Sequence, residues 1–344
     1  MKHGTDKILA LLRAAYALFI ALVIFGVAFL VIYANPSLLQ FDFKPDTVTW
    51  QPKTIDKDLP QGEKGELIKY GYELIVNTPH YIGPLANEQA MRFAGNNLTC
   101  GNCHLKAGRK IASGSFVGIA DRFPQFRGRE NKMGTLAERI HGCMERSMNG
   151  KRMPENSREM QAMIAYMEFL SEDVPKDMLD LYKGYQKIDL PYQMADTITG
   201  KFIYESRCLP CHGKNGRGTP KPGDTFNGYL YPPLGGDDTF NDGAGMNRVI
   251  TAAEFIKYNM PFGASYDAPI LSDEEAYHVA AYINTFERPE KSDKSLDFPD
   301  KKLKPASTPY GPWADNFPPE QHKFGPFQPI FDYYEKKYGI KKTK

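Results

Sequence analysis

Four of the five cysteines in this 344-residue chain stand in two C-x-x-C-H motifs, Cys100-Gly-Asn-Cys103-His104 and Cys208-Leu-Pro-Cys211-His212. Thiols at that spacing can reach both vinyl groups of one porphyrin as thioethers, and the histidine that follows then falls under the iron as its proximal ligand. Zinc ribbons and thioredoxin-type redox pairs also use C-x-x-C. A histidine directly after each pair, in a chain that carries an export signal, favours two covalently bound haem c groups.

Each iron then needs a sixth ligand or keeps that position open. In the second half Met260-Pro261, within TAAEFIKYNMPFG, lies 48 residues after His212 in a loop ahead of the last helical segment, a placement that resembles the axial methionine of class I cytochromes. Thioether ligation favours ferrous iron and raises the potential, which suits an electron outlet. Met246 in GAGMNRV is the competing ligand, and with 13 methionines in the chain either could be a core residue. The first half has no equivalent, because Met153-Pro154 abuts its last helical segment. It has the fifth cysteine, Cys143, 39 residues after His104 in RIHGCMERSMNGK. A thiolate opposite His104 would favour ferric iron and lower the potential strongly. A buried small hydrophobe is the plainer reading of Cys143, and His141, Met144 and Met148 compete as ligands.

The surroundings of Cys143 are cationic. Residues 101–153 hold 11 Lys/Arg against 4 Asp/Glu, whereas residues 197–289 hold 8 against 11. Arg122, Arg127, Arg129, Arg139, Arg146, Lys151 and Arg152 cluster in sequence around the cysteine. Guanidinium forks suit oxyanions such as sulfonates, although any one of these side chains could simply face water. A cationic pocket beside a sulfur nucleophile favours an anionic sulfur substrate.

Several elements must position these groups. Hydrophobic content of 42% and charged content of 24% are those of a globular protein, not of a disordered or multi-span chain. The net charge of +2, without a basic block, gives no nucleic-acid signature. Residues 1–13 carry Lys2, Lys7 and Arg13 and read as a cytoplasmic N-terminus ahead of an uncharged transmembrane anchor at 14–34. A cleaved secretory signal is the alternative, but its apolar region is normally roughly 7–15 residues, and Ile32-Tyr33-Ala34 is a poor cleavage site. Either reading exports the remainder, so the haem domains are expected in the periplasm.

Residues 35–64 read as a tether, 65–172 and 197–289 as two versions of one plan, 173–196 as a linker, and 290–344, rich in Pro, Lys and aromatics, as an irregular extension. Gly200, four residues before Tyr204, offers a small residue where another helix can cross, and Gly71-Tyr72 repeats this in the first half. Ser272-Asp273-Glu274-Glu275 reads as a capping box opening a helix through Ala276, Val279, Ala280, Ile283 and Phe286, with Asn156-Ser157-Arg158-Glu159 as its counterpart. The expected fold is mainly α: two tandem class I cytochrome c-like domains behind one N-terminal transmembrane helix.

The stretch from CGNCHLKAGRK through RIHGCMERSMNGKRMPENSREMQ resembles the catalytic domain of the periplasmic dihaem thiosulfate dehydrogenases. YPPLGGDDTFNDGAGMNRVITAAEFIKYNMPFG is similar to their second haem domain, and PYGPWADNFPPEQHKFGPFQPI to their carboxy-terminal segment. The resemblance covers roughly residues 65–330 and implies the coupling of two thiosulfates to tetrathionate with release of two electrons, or the reverse. It implies that His104 and Cys143 ligate the first, catalytic haem. Arg129, Arg139, Ser147 and Lys151 would then hold substrate anions. His212 and Met260 would ligate a second haem that exchanges electrons with a c-type cytochrome or similar partner. Some members of the family carry a lysine just before that methionine; here the position is Asn259.

Three other functions fit parts of the pattern. A membrane-anchored dihaem electron carrier would need no arginine cluster. A dihaem peroxidase would need an open iron. A Sox-like thiol transferase would share Cys143 but act on a carrier protein.

Overall fold

The computed structural model describes residues 2–34 and 50–344. The chain divides into two compact units, residues 1–50 and 51–344. In the first, helix α1 (Lys2–Ala34) includes Leu12–Val31, 20 residues of mean hydropathy 2.7, long and apolar enough to cross a membrane. Most of the expected tether, residues 35–49, lies outside the described residues. Its end is packed: Ile55–Asp58 form one helical turn, and Lys53 Nζ donates to Glu172 at 2.7 Å.

The main helices of the second unit are α2 (Glu63–Val76), α3 (Leu136–Arg146), α4 (Arg158–Phe169), α5 (Thr197–Arg207), α6 (Val249–Asn259), α7 (Asp273–Ile283) and α8 (Gln328–Tyr338). Strand is confined to two small antiparallel ribbons, β1 (Gln125–Arg127) with β2 (Lys132–Gly134), and β3 (Thr219–Pro220) with β4 (Tyr229–Tyr231). The fold is mainly α, as expected.

Both predicted glycine crossings are present. In the first domain α2 crosses α4 at Gly71, where a Cβ would lie 2.0 Å from the carbonyl oxygen of Ala162. In the second, α5 crosses α7 at Gly200, where a Cβ would lie 2.1 Å from the carbonyl oxygen of His278. An aromatic beside Gly71 and one a helical turn after Gly200 lock the crossings edge to face: Tyr72 on Tyr166 and Tyr204 on Tyr282. Ser272 and Glu275 cap α7 reciprocally, while Ser157 caps α4 on one side only, through the Met160 amide. A reciprocal box that the sequence reading passed over, Thr135 with Glu138, opens α3, the helix that carries Arg139 and Cys143.

Two segments differ from expectation. The stretch 173–196, expected as a linker, contains a helix at Lys176–Tyr182 and sends Ile188 and Ala195 into the core of the second domain. Residues 290–344, expected to be irregular, include α8, whose Ile330 and Tyr334 are buried in that same core together with Phe327. Burial of these aromatic and aliphatic groups ties the extension down. A buried polar cluster adds to it: His322 Nδ1 lies 2.7 Å from the Ala306 carbonyl and Nε2 3.0 Å from the Asp315 carboxylate, while Trp313 stacks on the imidazole at 4.2 Å.

Candidate active site

The 3.6-residue period of α3 places Arg139 and Cys143 one turn apart on the same face, and Arg139 Nη1 donates to Cys143 Sγ at 3.0 Å. Cys143 is also within hydrogen-bonding reach of the His104 imidazole. Burial pushes the neighbouring thiols up, Cys100 to about 11 and Cys103 to about 12. Burial acts on Cys143 in the same direction. There the positive charge of Arg139, the contact with His104 and the nearby Arg146 overcome it and bring the thiol down to about 6.

The two proximal histidines are held alike. His104 Nδ1 faces the carbonyl oxygen of Gly114 at 2.6 Å, and His212 Nδ1 faces that of Pro232 at 2.9 Å. A carbonyl can only accept, so each ring donates from Nδ1, which leaves Nε2 as the nitrogen a metal would take. Gly114 adopts φ +63°, and a Cβ there would come within 3.3 Å of both His104 Nδ1 and the Tyr185 hydroxyl. Phe116 lies against the His104 ring with centroids 4.4 Å apart. Thr78, buried at the start of the stretch between α2 and the first motif, accepts from the Cys100 amide at 3.1 Å and donates to the Leu74 carbonyl at 2.7 Å, with its oxygen 3.5 Å from the Cys100 sulfur.

His104, Arg139 and Cys143 border two cavities of opposite character. One, of about 460 Å³, is walled by Cys100, Phe116, Ile140, Met144, Met148 and Met163, and is almost wholly apolar. A flat hydrophobic macrocycle tied to Cys100 and standing on His104 fits that lining. The other, of about 1080 Å³, is open and polar, and Arg127, Arg129, Arg139, Arg146 and Arg248 all line it.

These guanidiniums are not equally available. Arg127 is engaged by Glu130 through two hydrogen bonds of 2.9 Å, and Arg129 pairs with Asp297 and bonds the Tyr310 hydroxyl at 3.0 Å. Arg146 is only 3.9 Å from Glu130. Among the described residues no carboxylate pairs with Arg139 or Arg248. Burial, together with the neighbouring guanidinium of Arg129, lowers Arg146 and Arg248 to about 10 each. Such a concentration of desolvated positive charge is a site for anions.

Of the residues anticipated for substrate, Arg129, Arg139 and Ser147 line this polar cavity. Lys151 does not: it is exposed, with its ammonium 5.7 Å from the centre of the Phe93 ring. Among the competing ligands His141 is tied at both nitrogens, Nε2 to the Met153 carbonyl at 2.9 Å and Nδ1 to Arg152 at 3.0 Å. Met144 and Met148 are part of the apolar wall. Met260 follows the end of α6 and packs on the second core, whereas Met246 lines the polar cavity beside Cys143. Tyr185 and Arg248 were missed as site residues. Arg248 left one trace in the sequence: a cation directly before a helix opposes the helix dipole and needs some other reason to be there.

Comparison with known proteins identifies two cytochrome c domains in the chain. The SoxA/TsdA cytochrome c domain matches residues 90–175, and the cytochrome c domain matches residues 198–287. A thiosulfate dehydrogenase of Stutzerimonas stutzeri is 40% identical over 68% of this chain and 72% of its own. One from Allochromatium vinosum is 40% identical over 67% of this chain and 82% of its own. Among solved structures, the as-isolated thiosulfate dehydrogenase TsdBA of Marichromatium purpuratum superposes with a TM-score of 0.63 at 33% identity, over 71% of this chain. This chain covers 50% of that longer one.

Proposed function

The chain belongs to the thiosulfate dehydrogenase family, and from that membership and the site geometry we propose how its residues divide the work. It is a dihaem c-type oxidoreductase that interconverts thiosulfate and tetrathionate, two thiosulfates giving one tetrathionate and two electrons. The observation that carries the residue assignment is the Arg139–Cys143 pair, which opens at once onto the apolar cavity and onto the arginine-lined one. An electron carrier has no use for the second of these.

His104 and Cys143 hold the first haem, with Cys100 and Cys103 as its thioether attachments. His212 and Met260 hold the second, attached through Cys208 and Cys211. When bound, the haems supply one-electron acceptors. Arg139 and Arg146 hold a thiosulfate dianion with its outer sulfur toward Cys143, Ser147 adds a hydroxyl donor, and Arg129 contributes field more than contact because Asp297 already engages it.

Released from its role as a ligand, the Cys143 thiolate forms an S–S bond to the outer sulfur of the first thiosulfate, and the two electrons given up would be taken one each by the two oxidised haems. The outer sulfur of a second thiosulfate then attacks the sulfur bonded to Cys143. That S–S bond breaks, tetrathionate departs and the thiolate returns. No proton is consumed, so the low thiol value of about 6 keeps the nucleophile and leaving group ready at neutral pH. A haem held by His212 and Met260 would supply the exit for these electrons toward a c-type cytochrome, and α1 anchors the protein with its haem domains in the periplasm.

Anaerobic addition of thiosulfate to the detergent-solubilised oxidised protein is expected to raise the reduced haem α-band, and tetrathionate to bleach it in the reduced protein. A spectrum indifferent to both overturns the reading. For the anchor, carbonate washing of membranes is expected to leave the protein in the pellet, and its release into the wash overturns that part.

A further inference from the structure

Two dianions must meet on the polar side of Cys143, yet Arg139, Arg146 and Ser147 all belong to or adjoin α3 and account for one. The opposite part of the cavity is supplied by the second haem domain, through Gly245, Met246, Arg248 and Thr251. Arg248 is the residue before α6, an 11-residue helix whose first-turn amides have no acceptor within the helix. Its Nε–H makes only a long bond of 3.4 Å to the Gly245 carbonyl. Thr251, in that first turn, is 3% exposed, lines the cavity, and its hydroxyl has no hydrogen-bond partner among the described residues.

A buried hydroxyl in a helix normally returns its hydrogen to a backbone carbonyl one turn back, and a buried guanidinium normally finds a carboxylate. Here neither does, and both residues border the same cavity beside the first turn of a helix. Tyr185 lines the same cavity.

We propose that Arg248, the Thr251 hydroxyl and the first-turn amides of α6 form a second sulfonate subsite, which holds the incoming thiosulfate, or the far sulfonate of tetrathionate, opposite Cys143. The inference rests on the function proposed above and deepens it: the second haem domain is half of the substrate site as well as the electron outlet. Placing one anion on each domain sets the two outer sulfurs toward each other while each dianion keeps its own cation.

The test uses the detergent-solubilised holoprotein with both haems attached. Binding of tetrathionate to the oxidised protein, which has no electrons to give it, is measured by titration calorimetry, and KM and kcat for thiosulfate in steady state. A charge-assisted bond of this kind predicts that Arg248→Ala raises the tetrathionate Kd and the thiosulfate KM about tenfold or more, with a much smaller fall in kcat. Arg248→Lys is expected to recover part of the loss, which a purely structural role would not allow. Thr251→Val, of nearly the same shape, is expected to raise both constants roughly threefold or more. Constants within twofold of the parent in Arg248→Lys and Arg248→Ala, or in Thr251→Val should the alanine variant lose its haems, overturn the subsite while leaving the proposed function intact. A parent protein that neither oxidises thiosulfate nor binds tetrathionate overturns both.

Discussion

The side-chain amide of Asn259 donates a 2.8 Å hydrogen bond to the carbonyl oxygen of Ala112. Asn259 immediately precedes Met260, and Ala112 lies two residues before Gly114, whose carbonyl fixes the His104 ring. A second bond, Lys110 Nζ to the Ala264 carbonyl at 3.0 Å, joins the same two loops. The loop whose carbonyl faces the His104 ring is thereby pinned to the loop that carries Met260.

Asn259→Ala cuts this tie and leaves a buried carbonyl unsatisfied, a loss of about 1–3 kcal/mol. Urea unfolding is expected to show that decrease. Because the Nδ1 hydrogen bond tunes a ligating histidine, redox titration is expected to move the first haem as well as the second. A change confined to the second haem would mean the loops are not mechanically joined.

Cys143→Gly removes the sulfur and its partnership with Arg139 without touching either C-x-x-C-H motif. Thiosulfate oxidation is expected to be abolished while haem staining after denaturing electrophoresis still reports both attachments. Residual turnover near the parent rate would exclude Cys143 from the chemistry.

Gly71→Ala and Gly200→Ala each drive a methyl group into a backbone carbonyl, at 2.0 and 2.1 Å respectively. Neither helix pair can absorb this without separating, so a destabilisation of roughly 1–3 kcal/mol or more is expected for each. Thermal melting followed by circular dichroism checks it, and an unchanged midpoint would mean that the crossings are slack.

Asp297 gives a pH signature. Burial pushes its carboxyl up, but Arg129, the Tyr310 hydroxyl and Lys291 hold it below the ordinary carboxylate value. Its folded value is therefore lower than its unfolded one, near about 3.9. The stabilisation is complete above that pH and is lost as pH falls through the folded value. Asp297→Asn is expected to cost about 3 kcal/mol at neutral pH by leaving Arg129 buried and unpaired, and to flatten the acid limb of the stability profile. Equal acid slopes in parent and variant would contradict this.

What could be read from the chain beforehand was local. The haem motifs, the two crossing glycines and the Ser272 box declare themselves through spacing within one element. Cys143 and His141 sit two residues apart, and no periodicity separates their roles; what separates them is that Met153 and Arg152 occupy both His141 nitrogens. Arg129 was read as a substrate residue because its counter-charge, Asp297, lies 168 positions away. Arg248 and Thr251 escaped notice because they are anionic-site residues only by virtue of facing another domain. The extension reads as irregular from its composition, rich in Pro, Lys and aromatics, but Pro329 falls in the first turn of α8, where proline is compatible with a helix.

That extension also supplies Phe298 and Pro305 to the wall of the polar cavity and Asp297 to Arg129. Both haem attachment motifs lie upstream of residue 290. Pigment and architecture are thus separable properties of this polypeptide. A preparation clipped just after residue 290 would keep both haem attachment motifs, and with them its colour, yet have lost Phe298 and Pro305 from the cavity wall and Asp297 from Arg129. Colour is a certificate of haem attachment, and competence has to be assayed on its own.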